Sequence, residues 1–152
     1  MKKLLTVFAT IFITANMFAQ APQQTKHQIG ENFGGGIVFY VFKPGDVYYV
    51  EGELHGLIAA TNDMYKARWD DAFHACANYR GGYFSDWYLP SYYELSILYQ
   101  QKSWFGNFKN DFYWTSSESD NGNPWCWNFN GGGLSNNNNR LVSLNVRPVR
   151  SF

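Results

Sequence analysis

Two helical signatures, bracketed on both sides by strand-like segments, constrain this chain more than any other feature of its sequence. Trp69, Phe73, Cys76 and Arg80 recur at offsets of four, seven and eleven, which places them on one helix face. Gly81-Gly82 follows as the stop. A second helix starts after Pro90, where Ser91-Tyr92-Tyr93-Glu94 fits the S-x-x-E capping box and Leu95, Leu98 and Tyr99 form the apolar face. Ahead of these helices, residues 37–42 are β-branched and aromatic and read as a buried strand. The Pro44-Gly45 pair predicts a turn, residues 47–50 the returning strand of a hairpin, and 55–60 a third short strand. After the helices, residues 112–116 predict a strand. Trp125, Trp127 and Phe129 then alternate with Cys126, Asn128 and Asn130 at a period of two. Residues 141–149 close the chain as a last strand. Strands, two helices, then strands again make an α+β pattern.

Length and composition narrow the function classes. The chain has 152 residues, one domain's worth. Twelve basic residues balance twelve acidic ones, so there is no basic face for nucleic acid and no polybasic membrane patch. Aromatic residues make up 20% and charged residues only 16%, the reverse of a disordered composition.

The first residues read as an address rather than as fold. Lys2-Lys3 precedes an apolar run over 4–19, shorter than the roughly 20 residues that span a bilayer. Ala19-Gln20-Ala21 supplies the small residues of a cleavage site. The expected organisation is a signal peptide over 1–21, a flexible lead-in over 22–33 and one domain over 34–152. Cleavage would leave no membrane span, and no Cys follows the run to carry a lipid anchor. The expected location is the periplasm, the cell surface or outside the cell. Export would put Cys76 and Cys126 in an oxidising compartment.

Catalytic signatures do not accumulate. The chain has no H-E-x-x-H, G-x-S-x-G or C-x-x-C. His27 lies in the lead-in, and His74 lies on the polar side of the first helix; both read as ordinary surface histidines. Cys76 reads as a small core residue. The expectation is a protein that is not an enzyme, with no catalytic residue, no metal and no cofactor.

Four motifs occur in a fixed order. Asp86-Trp87-Tyr88-Leu89-Pro90-Ser91 with Glu94-Leu95 resembles D-W-R-L-P-T-x-x-E-L, and Tyr113-Trp114-Thr115-Ser116-Ser117-Glu118 resembles Y-W-S-S-T-E. The strand from Trp125 resembles A-W-x-V-x-F, and Asn145-Val146-Arg147-Pro148-Val149-Arg150 resembles Y-V-R-C-V-R. Together they resemble the C-terminal domain family of bacterial collagen-like adhesins, a domain of otherwise unknown function. That family is similar in fold to C-type lectins and to formylglycine-generating domains. The resemblance implies a C-type-lectin-like α+β fold, two helices flanking a twisted antiparallel sheet with long loops on one side. Tyr88 stands where the family has Arg, and Pro148 where it has Cys. Cys126 is then the only partner left for Cys76. The sugar-binding loops of C-type lectins are echoed only in part by Asn123-Pro124-Trp125 and Trp127-Asn128-Phe129. Beyond residue 117 the only carboxylates are Glu118 and Asp120, too few for calcium.

A binding surface is the remaining expectation. With Trp125, Trp127 and Phe129 turned to the core alongside Trp87, Leu89 and Trp114, Cys126 faces outward and stays unpaired. The expected ligand contacts are Asp120, Asn121, Asn123, Cys126, Asn128, Asn130, Asn136, Asn138 and Arg140. Their amides both donate and accept, which suits a glycan or protein ligand. Asparagines also favour turns, the plainer explanation of the 121–123 stretch. Surface proteins diversified by retroelements resemble this chain in carrying an Asn-dense C-terminal third. An enzyme of the formylglycine-generating or hydroxylating type and a structural envelope component are the alternatives from other classes.

Overall fold

The computed structural model describes residues 26–136 and 139–152. Strands β1 (Asn32–Phe33), β2 (Gly36–Val41), β3 (Gly56–Ala59) and β7 (Val149–Ser151) form a four-stranded antiparallel sheet in the order β1-β2-β3-β7. Strands β4 (Phe112–Glu118), β5 (Pro124–Asn128) and β6 (Leu134–Asn136) form a second, three-stranded antiparallel sheet. Helices α1 (Trp69–Asn78) and α2 (Tyr92–Gln100) lie between them in sequence. The fold is α+β, with two antiparallel sheets where the sequence predicts one.

Local sequence accounts for α2. Ser91 Oγ accepts from the Glu94 amide at 3.2 Å, and the Glu94 carboxylate accepts from the Ser91 amide at 2.8 Å. The capping box is therefore complete. Helix α1 packs through Trp69, Ala72, Ala75 and Cys76. The small alanines let it approach the sheet closely, and Phe73, expected on the buried face, is exposed. It stops at Asn78, short of Arg80, because Tyr79 is already extended. Gly82, at φ +62°, then sits against Gly35, at φ +85°; a Cβ on Gly82 would lie 2.5 Å from the Gly35 Cα. Glycine is required there by both the backbone and the close approach.

The core divides around β4 and β5. Tyr113 and Phe129 pack with Phe39, Leu57, Leu95, Leu98 and Val149 on the α2 side. Trp114 and Cys126 pack with Trp69, Ala72, Cys76, Leu89 and Val146 on the α1 side. The three-stranded sheet is thus covered on both faces. Alternation along β5 separates two apolar environments, not core from water. This corrects the outward orientation expected of Cys126, which is only 2% exposed. Trp87, Leu89, Trp114 and Phe129 are buried as expected, while Trp125 and Trp127 are half-buried.

Two further expectations fail for identifiable reasons. Residues 47–50 form a turn and irregular chain, not a strand. Both edges of β2 are already occupied, by β1 and β3, so a returning strand has nothing to pair with. The last strand spans only Val149–Ser151. Upstream of it, Leu144 bridges Ala67, and Asn145 bridges Tyr113 of β4. The segment makes single contacts with different elements and never stays beside one long enough to form a ladder.

Two arginines fasten this segment. Arg147 is buried and donates from Nε to Asp63 Oδ1 at 2.7 Å and from Nη1 to the Ala60 carbonyl at 2.9 Å. Its guanidinium lies 4.0 Å from the Phe108 ring centroid. Arg150 grips Asp86 through both oxygens, at 2.7 and 2.9 Å, and stacks on Phe84 at 3.8 Å.

Candidate functional site

The residues expected to bind ligand separate into two groups. Asp120 and Asn121 are exposed at the β4–β5 turn, and Asn123 is half-buried beside them. The turn is closed by Ser119 donating to the Asn123 carbonyl at 2.8 Å, with the Asn123 amide donating to Ser119 Oγ at 3.2 Å. Arg140 is its strut. The guanidinium donates to Glu118 at 2.8 Å and to the Gly122 carbonyl, and it lies 4.3 Å from the Trp69 ring centroid. Asn136 pairs with Trp125 in the β5–β6 register, nearer this end. Asn138 lies outside the described residues.

Asn128 and Asn130 sit at the other end of β5. Five residue steps separate Asn123 from Asn128, roughly 16 Å of strand. The Asn128 side chain accepts from the Asn130 amide at 2.9 Å, a local turn bond of the kind asparagine favours. Cys126 belongs to neither group. Its thiol donates to the Ser135 carbonyl at 3.4 Å inside the core, and burial pushes it up to about 11. The Cys76 thiol is pushed up to about 12 for the same reason. Both cysteines are free, and neither has the lowered thiol pKa of a nucleophile.

A concave site exists elsewhere. A cleft of about 890 Å³ opens between β2, the 43–55 loop, the start of α2 and the chain end at Phe152. Tyr40, Phe42, Tyr48, Tyr88, Tyr93 and Phe152 line it, together with Asp46 and Glu94. Two tyrosine–carboxylate pairs belong to its lining. Tyr40 Oη donates to Asp46 at 3.0 Å, and Tyr88 Oη to Glu94 at 2.6 Å. Burial, then the Asp46 bond, pushes the Tyr40 hydroxyl up to about 12; burial, then Glu94, raises Tyr88 as well. Both phenols therefore stay protonated and remain donors to their carboxylates. His55, at the cleft's edge, lies 2.7 Å from Glu53 through Nε2 and 3.1 Å from the Phe152 carbonyl through Nδ1. Those two bonds raise its pKa, Glu53 contributing most.

The 43–55 loop carries the outer wall. Val47 is 92% exposed and Tyr48 72%, and the Tyr48 ring packs tilted against Phe42, 5.8 Å between centroids. Reading 47–50 as a strand conceals this wall. The signal available in sequence is the pairing of tyrosines with nearby carboxylates, Tyr40 with Asp46 and Tyr88 with Glu94, each six residues apart. Among the described residues no group of three or more His, Cys, Asp or Glu side chains is placed to hold a metal ion. None of their helices is long and apolar enough to cross a membrane.

Comparison with curated proteins returns no match. The family model of the Lcl C-terminal domain matches residues 48–150. That span is more than half of the chain and takes in both helices, the whole three-stranded sheet and the arginine-fastened segment. By this match the protein belongs to the Lcl C-terminal domain family.

Proposed function

We propose that the protein is an exported, non-catalytic, adhesin-like module that recognises a glycan or a protein ligand. The observation that carries the reading is the aromatic cleft beside β2. It is a concave, mainly apolar site with a few fixed polar groups, the usual form of a ligand site. Membership of the Lcl C-terminal domain family and the signal-like start at Lys2-Lys3 agree with an exported binding module. The raised thiols of Cys76 and Cys126 speak against cysteine-based catalysis. Tyr48→Ala and Tyr93→Ala test the reading on an immobilised panel of glycans and surface proteins. Saturable binding should be lost while the melting temperature stays within a few degrees. Unchanged binding by both variants removes the cleft from the function.

The polar turn supports a second contact surface, because Arg140 holds Asp120 and Asn121 outward on a closed turn. A preformed turn spends little ordering entropy on binding. On this reading a diversified C-terminal third would vary the contacts. A near-copy of the coding region for residues 114–150 beside a reverse-transcriptase gene is the observation that tests it.

A further inference from the structure

The cleft's hydrogen-bond inventory points to one class of ligand. Three hydroxyl protons are committed to its two carboxylates: Tyr40 donates to Asp46, and Tyr88 and Ser91 donate to Glu94. These groups leave a ligand acceptor capacity. Each phenol oxygen keeps a lone pair, and Asp46 uses only Oδ2 in its bonds. The rings add π faces, which are electron-rich and attract cations. None of the described lining residues is Lys or Arg. The one base, His55, has both ring nitrogens engaged. At the rim, Lys43 holds its Nζ 5.9 Å from the Tyr40 centroid, a cation already drawn to that ring.

We infer that the cleft receives the cationic side chain, lysine or arginine, of a partner protein. The inference rests on the cleft being the ligand site. An ammonium or guanidinium only donates, which matches the acceptor capacity left where Tyr40, Tyr88 and Ser91 give their hydroxyl protons to Asp46 and Glu94. Its aliphatic stem would cover the aromatic walls while the head reaches Asp46 and Glu94. A cleft of about 890 Å³ exceeds what an isolated ammonium fills. Exposed Val47 and Val50 at its mouth provide apolar surface for the polypeptide that carries the side chain. An anionic ligand would meet the Asp46 and Glu94 carboxylates, and the one basic group of the lining, His55, is already held by Glu53 and the Phe152 carbonyl.

The test is a titration of the protein with acetyl-Gly-Lys-Gly-amide, read by NMR on the tyrosine ring signals. Saturable shifts are expected at Tyr40, Tyr48 and Tyr93, and they should vanish when the lysine is acetylated. Asp46→Asn and Glu94→Gln should each weaken binding about five-fold, the size of one ion-pair contribution. Glutamine can still complete the capping box at position 94, so the fold is retained. If a variant nevertheless unfolds, the comparison of free with acetylated lysine on the unaltered protein decides. Equal binding of the acetylated peptide overturns the inference. Binding of tetramethylammonium without the peptide overturns the assignment to a protein side chain. Shifts caused by lactose and not by the peptide overturn the cationic class while leaving the cleft as a ligand site. If no probe shifts these signals, the inference falls. If Tyr93→Ala also leaves panel binding intact, the cleft reading falls with it.

Discussion

Residues 43–55 and 140–148 are both irregular stretches next to the four-stranded sheet, and they are held in opposite ways. The first bonds almost wholly to itself. Asp46 donates to the Lys43 carbonyl, Tyr49 to Asp46 and Glu53 to Val50. The second bonds to everything else. Trp69 donates to the Arg140 carbonyl, Met64 to Val146, Ala60 to Pro148 and Trp114 to Asn145. Backbone groups in a buried irregular segment must find partners; here they find them across the whole molecule. The self-bonded loop stays at the surface, where water satisfies what remains, and its side chains are left free to wall a cleft. Irregular chain is therefore structural or functional according to where its hydrogen bonds go.

Substitutions should reproduce this contrast. The largest effect is expected at Arg147→Ala, which leaves the Asp63 carboxylate buried without its cation. Breaking a buried pair from one side costs about 3–5 kcal/mol, to be read as a lowered urea midpoint with unchanged slope. A loss under about 1 kcal/mol would mean that the segment is not fastened by this pair. Trp114→Ala should cost a similar roughly 3–5 kcal/mol. It removes a fully buried ring whose Nε1 donates to the Ala67 carbonyl at 2.9 Å.

Acid should loosen the fastened segment next. Arg150 holds the Asp86 carboxyl below its ordinary range, and Lys66 does the same for Asp111. A carboxyl depressed in the folded state stabilises fully above its unfolded pKa, near 3.9 for Asp, and loses that contribution as pH falls through the folded value. Stability should therefore be flat from about pH 6 to pH 5 and decline below about pH 4. Asp86→Asn should shrink the decline, as followed by urea midpoints across that range. A decline of the same size in the variant would move the acid sensitivity elsewhere.

The smallest effect belongs to the loop. Val47→Ser and Val50→Ser alter exposed side chains and should change stability by less than about 0.5 kcal/mol. A calorimetric loss several times larger would show that the loop is packed into the fold after all, and the contrast would collapse.

Much of this protein was legible in its sequence because it depends on neighbours a few residues apart. The Ser91–Glu94 box, a helix in the stretch after Trp69, the period of two along β5 and the α+β order all follow from local backbone geometry. Burial of Trp87, Leu89, Trp114 and Phe129 followed from their size and apolarity. The polar turn at 119–123 was legible as a turn, though the strut that Arg140 provides was not. The faces of β5 were not legible at all. A period of two shows that Cys126 and Trp127 point in opposite directions, but both directions here lead to apolar partners, α1 on one side and α2 on the other. Pairing that occupies both edges of β2 likewise denied residues 47–50 a strand and left them to wall the cleft. Alternation and capping are properties of short backbone segments. Which surface each face meets is set by contacts between residues tens of positions apart, and only the tertiary packing decides those.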